Sequence, residues 1–173
     1  MKLTHPLPLH RLLRPAFRVG LAALTALAAG LALPAAAQTT PEQVFQQYLA
    51  AVKAHDKAAV EALIAEDVAR SDFPACRPEM SNKQCLSLYI DATVLSQAGE
   101  ITVLRTQVQG DTVHATLELR SELTRRAGVA RARGTDEVRV RQGRIAAFRF
   151  VPDFADEPTR RFFASLGIGP GAH

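Results

Sequence analysis

Residues 41–73 read PEQVFQQYLAAVKAHDKAAVEALIAEDVARSDF. Thr40 stands before them as a helix N-cap, and Pro41 occupies the first helical position, where its missing N–H costs nothing. Val44, Phe45, Tyr48, Leu49 and Val52 then recur at three- and four-residue spacing, the single apolar stripe of a helix that ends near Ala54-His55. Asp56 caps a second helix with the stripe Val60, Leu63 and Ile64, and the short connection makes the pair a helical hairpin. Val68 to Phe73 reads as a short strand, stopped by Pro74.

Downstream the period changes. Leu86, Tyr89, Ile90 and Val94 predict a third helix, N-capped by Ser81 and ending by Gly99. Four strands follow over Ile101–Gln109, Thr112–Arg125, Val129–Arg141 and Arg144–Val151, with turns at Gly110-Asp111 and Gln142-Gly143. Asp156 to Leu166 predicts a short last helix, and residues 167–173 a flexible Gly/Pro-rich tail. Helices first and an antiparallel meander after them is an α+β pattern. The hairpin and third helix must cover the concave face of a curved antiparallel sheet, with room for a small-ligand pocket between the layers.

The N-terminus reads differently. Lys2, Arg11, Arg14 and Arg18 precede an uncharged run, Val19–Leu33, and then Pro34-Ala35-Ala36-Ala37. This is the layout of a signal peptide cleaved after Ala37. A membrane anchor is the rival reading, but the run is shorter than the ~20 residues a span needs. Residues 1–37 hold four basic and no acidic groups, so removing them from 21 basic and 17 acidic leaves 17 of each. The formal charge of +4 belongs to the leader, and nothing in it points to nucleic acid. An exported chain, periplasmic or secreted and with no stable membrane anchor after cleavage, is expected. Residues 38–166 make one domain.

Two cysteines remain. Export places Cys76 and Cys85 in an oxidising compartment, so a disulfide closing CRPEMSNKQC is expected. No metal is expected, since His55, His114 and His173 show no ligand spacing with the two thiols. Nine arginines (120, 125, 126, 131, 133, 139, 141, 144 and 149) crowd one region, as a solvated strand face or a surface for an anionic partner.

Three polar residues fall on faces that should point inward. Tyr48 lies on the stripe of helix one, as a core phenol bonded to a carbonyl or as part of a site. Asp136 shares strand parity with Val138 and Val140; it either meets an arginine, serves as a turn residue after Gly134, or takes up a proton. Asp72 closes the first strand, as a turn residue or a base, with Arg70 two residues earlier. His114 alternates onto the polar side, solvated or at a dimer face. No nucleophile motif, phosphate loop or dinucleotide fingerprint is present, and no cofactor is expected.

The stretch 41–73 resembles the opening hairpin and first strand of the nuclear transport factor 2-like superfamily, and GTDEVRVRQGRIAAFRF (134–150) resembles its closing hairpin. The resemblance implies a cone-shaped α+β barrel of SnoaL-like or ketosteroid isomerase-like type, often a homodimer. By position it implies Asp72 as a general base, with Tyr48 and a neutral Asp136 as donors to an oxyanion. The pocket would be walled by Phe45, Phe73, Leu86, Val138, Phe148 and Phe150 and would take a small apolar molecule. Superfamily members include enzymes, carriers and assembly domains, so a binding module and a cofactor-independent isomerase or cyclase both stand as readings.

Overall fold

A computed structural model describes residues 39–69, 73 and 75–170. Residues 1–38, where the leader and its cleavage after Ala37 are expected, and Arg70, Ser71, Asp72, Pro74 and residues 171–173 lie outside the described residues. Among the described residues no helix is long and apolar enough to cross a membrane.

The helical hairpin forms as its caps dictate. Helix α1 spans Pro41–Lys53, and Thr40 and Gln43 cap it reciprocally, each side chain accepting the other's backbone N–H. His55 takes a positive φ of 53° to turn the chain, and Asp56 caps α2, Lys57–Leu63, by accepting from the Ala59 N–H. Helix α3, Asn82–Thr93, opens with the same reciprocal box between Ser81 and Gln84 and runs into a 3₁₀ turn at Leu95–Gln97. The Cys76–Cys85 disulfide ties the preceding loop to the first turn of α3, at a Cα separation of 5.2 Å. On the chain-entropy model, closing that short loop stabilises the fold by about 2.5–3 kcal/mol.

Strands β1 (Glu100–Gln109), β2 (Thr112–Arg120), β3 (Ala132–Arg141) and β4 (Arg144–Pro152) form one antiparallel sheet in sequence order. Bulges between Val103 and Arg105 and between Arg139 and Val140 bend it into the curved, open sheet of an α+β cone. Its concave side carries Val113, Ala115 and Leu117 from β2 and Val138 and Val140 from β3 against α1 and α3. Phe45, Val52, Ile64 and Ile145 complete this core, each nearly or fully buried. Each contributes roughly 1.5–3 kcal/mol by leaving water.

Two strand expectations are corrected. Val68 and Ala69 are not strand: a turn at Glu66-Asp67 intervenes after the bridge Ile64–Ile145, so among the described residues of this stretch only the Ala65 and Ala69 N–H groups reach β4 carbonyls, those of Ile145 and Ala146. The second strand stops at Arg120 and not Arg125. There Ser121 and Thr124 cap each other and begin a short helix, α4, Glu122–Arg126, an S-x-x-T signal hidden inside an alternating run. Strand β3 accordingly starts three residues later than expected, at Ala132.

Helix α5, Glu157–Ser165, is fastened to β3. Its N-cap Asp156 accepts two bonds from the Arg131 guanidinium, at 2.7 and 3.0 Å, and the Arg133 N–H donates to Thr159 Oγ1 at 2.7 Å. Residues 167 and 168, assigned to the tail from sequence, continue this turn: Gly167 N–H donates to Ala164 O and Ile168 N–H to Phe163 O.

Candidate functional site

The described residues line a partly open cavity of about 270 Å³ between the main core and a smaller apolar cluster of Val129, Ala132 and Phe162. Its position follows from strand parity. Along β3 the residues Ala132, Gly134, Asp136 and Val138 all face inward. Asp136 pairs across the sheet with Ala115 on β2 and Phe150 on β4, so its carboxyl stands among apolar neighbours. From α1, Tyr48 meets it, the ring 5.8 Å from that of Phe148 in an edge-on contact. From α3, Tyr89 enters the same wall, its ring stacked on Phe73 at 3.6 Å and 6.4 Å from Phe148.

Burial governs the protonation of all three polar groups. Asp136 is 3% exposed and makes no ion pair or side-chain hydrogen bond among the described residues. Burial alone pushes its carboxyl up to about 8, so at neutral pH it carries a proton and is a donor. No described arginine pairs with it, and it sits within a strand and not in a turn. Burial also raises Tyr48 well above its ordinary value, with the Asp136 charge and Tyr89 adding to the shift. Tyr89 is raised likewise, by burial first and then by Asp136. The site therefore offers neutral O–H donors in an apolar surround, an arrangement that can hold one carbonyl or enolate oxygen.

Of the residues that sequence assigned to the pocket, Phe73, Phe148 and Phe150 line the cavity with Tyr48 and Asp136. Phe45, Leu86 and Val138 lie behind that wall, in the packed core. Asp72 lies outside the described residues; the next residue in the chain, Phe73, is on the wall. His114 is on the convex face of the sheet, 3.9 Å from Glu137. Six of the nine crowded arginines (120, 125, 131, 133, 141 and 149) are paired with carboxylates of the same chain. Two contributions were missed from sequence. Tyr89 reads as part of an ordinary helical stripe, and Phe162-Phe163 as a short terminal helix; both line the cavity. Tyr89 repeats the signal that marked Tyr48, a phenol on an apolar stripe.

The family model for the SnoaL-like domain matches residues 45–148, more than half of the chain. No curated protein matches the sequence. Among solved structures, the chain is similar to the Delta 5-3-ketosteroid isomerase from Mycobacterium sp., at 19% identity and a TM-score of 0.53 over 67% of this chain and 95% of that one. It is also similar to RV0760c from Mycobacterium tuberculosis in complex with estradiol-17beta-hemisuccinate, at 22% identity and a TM-score of 0.50, covering 64% and 92%. A third is a putative polyketide cyclase from Sinorhizobium meliloti, at 19% identity and a TM-score of 0.50, covering 62% and 92%. At these identities the likeness is one of fold.

Proposed function

The chain belongs to the SnoaL-like domain family of the nuclear transport factor 2-like superfamily, and from that premise we propose that it is an exported protein whose cavity binds a small apolar molecule through a carbonyl group. The observation that carries this reading is the neutral carboxyl of Asp136, without a partner among the described residues, beside Tyr48 on a mostly apolar wall. A buried donor without a partner is costly, and a ligand acceptor relieves that cost. The Cys76–Cys85 disulfide supports export to the periplasm or medium after cleavage at Ala37. Pairing as a homodimer is compatible with this reading.

Calorimetry with a cyclic ketone and with its parent hydrocarbon tests the reading. The wild type should prefer the ketone by about tenfold, the value of one buried hydrogen bond, and Asp136→Leu should lose that preference. The preference should hold at pH 6–7 and weaken as pH rises through about 8, where Asp136 gives up its proton. Equal affinities of wild type for ketone and hydrocarbon at pH 6 would sink it.

A second reading is proton transfer next to a carbonyl, by an isomerase or cyclase without cofactor. Two neutral donors at one point favour it, together with Phe73 on the wall directly after Asp72 in the chain. Asp72 would abstract the proton while Tyr48 and Asp136 held the enolate oxygen. Turnover of a β,γ-unsaturated ketone should fall at least a hundredfold in Asp72→Asn; equal rates would exclude this reaction.

A further inference from the structure

The cavity has two unlike ends. Tyr48, Tyr89 and Asp136 meet at one, around Phe148. From Asp136 the inward row of β3 continues through Gly134 to Ala132, four residues and about 13 Å along the strand. At that far end the wall is Leu123, Ala132, Phe162, Phe163, Leu166 and Ile168, with no polar side chain among them. Phe150 bridges the two ends. It is the cross-strand partner of Asp136, and its ring stacks on Phe163 of α5 at 6.1 Å.

Gly134 makes this bridge geometrically feasible. A Cβ there would collide with the Phe150 ring and would lie 2.6 Å from the Val151 carbonyl, so the missing side chain lets the ring lie along the wall. Helix α5 is in turn held in register with β3 by Arg131–Asp156 and by the Thr159 bond to the Arg133 N–H. Charge on the wall is equally one-sided. No described residue lining the cavity is basic. An ionised head group bound there would be desolvated without a counter-charge, which is strongly unfavourable.

Resting on the proposed carbonyl-binding reading, we infer that α5 and the turn after it are the specificity wall of the site: they select a neutral, elongated ligand whose carbonyl sits at the Tyr48–Asp136 end and whose hydrocarbon body runs along β3 to α5. Length is read by Phe163, Leu166 and Ile168. Leu166 is 51% exposed, so the far end meets solvent and a substitution there does not disturb the core.

The test is a ladder of straight-chain 2-ketones of increasing length, with the matching alkanes and fatty acids, titrated into the mature protein by calorimetry. Affinity should rise about fourfold per added methylene while the chain still gains burial, as about 0.8 kcal/mol per CH₂ requires, and then level off. Fatty acids at pH 7, where they are ionised and Asp136 still holds its proton, should bind at least tenfold more weakly than ketones of the same length. Leu166→Glu and Ile168→Glu, chosen because both sites are at or near the surface, should each lower the ratio of long- to short-chain affinity by tenfold or more. Phe163→Ala should move the plateau to longer chains. A ladder with no length dependence, or one unchanged in all three variants, would overturn the inference and leave carbonyl binding standing. A ladder that is intact for ketones and alkanes alike would overturn the carbonyl reading and support the α5 wall.

Discussion

Asp136 and Glu118 are carboxylic acids on neighbouring strands of one sheet, 3% and 9% exposed, and their surroundings drive them in opposite directions. Asp136 points to the concave side, between Ala115 and Phe150, with no cation beside it among the described residues, and burial pushes it up to about 8. Glu118 points to the convex side and pairs in register with Arg133. Arg133 donates to it at 2.9 Å and Arg120 at 3.2 Å, and the Arg131 guanidinium forms an ion pair with it at 2.8 Å. The hydrogen bond from Arg133, with the charges of the three guanidinia, holds it below the usual carboxylate range despite its partial burial. Burial alone therefore does not set the charge of an acid. The partner supplied by that face of the sheet does, and the face is chosen by strand parity.

The largest effect expected from this contrast is in pH dependence. Unfolded, Asp136 titrates near its ordinary 3.8; folded, near 8. Below pH 4 both states hold the proton. Between about pH 4 and 8 only the unfolded chain releases it, so folding stability falls across that window and levels above it. The wild-type stability minus that of Asp136→Asn, from urea melts at each pH, should decline with a slope on the order of 1 kcal/mol per pH unit. A flat difference would mean the carboxyl is charged in the fold. Glu118 has the opposite sign: its contribution is present above its unfolded pKa and is lost as pH falls below it.

Next in size is the response to removing each acid at pH 7. Glu118→Leu leaves Arg131 with Asp156 alone and strands Arg133, whose Nε atom is already buried without a partner among the described residues. It should cost about 2 kcal/mol, less than a fully buried pair because the guanidinia keep some water. Asp136→Leu should be neutral or stabilising by about 1 kcal/mol, since it removes a buried polar group that lacks a partner among the described residues. Chemical denaturation of the two variants side by side decides this. Two losses of similar size would erase the distinction between the faces.

The smallest expected effect sharpens the concave side only. Gly134→Ala places a methyl against Phe150 and the Val151 carbonyl and should cost about 1–2 kcal/mol through overpacking. It should also shrink the passage between the two cavity ends, read as weaker binding of long ketones than of short ones. A wild-type melting curve would show that the Phe150 ring has room to move.

Much of the architecture was legible because it rests on local physics. Thr40, Asp56 and Ser81 each cap the helix assigned to them, and the turns at Gly110-Asp111 and Gln142-Gly143 join the strands expected. The misreadings came where two local signals overlapped. The alternation of Thr112–Arg125 concealed the Ser121 cap, and the apolar Val68-Ala69 suggested a strand although a turn precedes it. The placing of Tyr48 and Asp136 on inward faces needed only helical and strand periods. That Tyr89 and α5 share their cavity required knowledge of which elements meet, since Tyr89 and Phe163 are far from Asp136 in the chain and reach the same cavity only through packing.

What the sequence alone determined, then, is a parity. Asp136 lies on the same side of its strand as Val138, and Glu118 on the side opposite Leu117, because successive strand residues alternate whatever lies above or below the sheet. Tertiary structure decided what that parity means chemically. Arginines from β2, β3 and the segment before β3 converge on Glu118, while around Asp136 the aromatic rings of α1, α3 and β4 bring no charge. Desolvation and ion pairing depend on neighbours within a few ångströms, and those neighbours come together only when the chain folds.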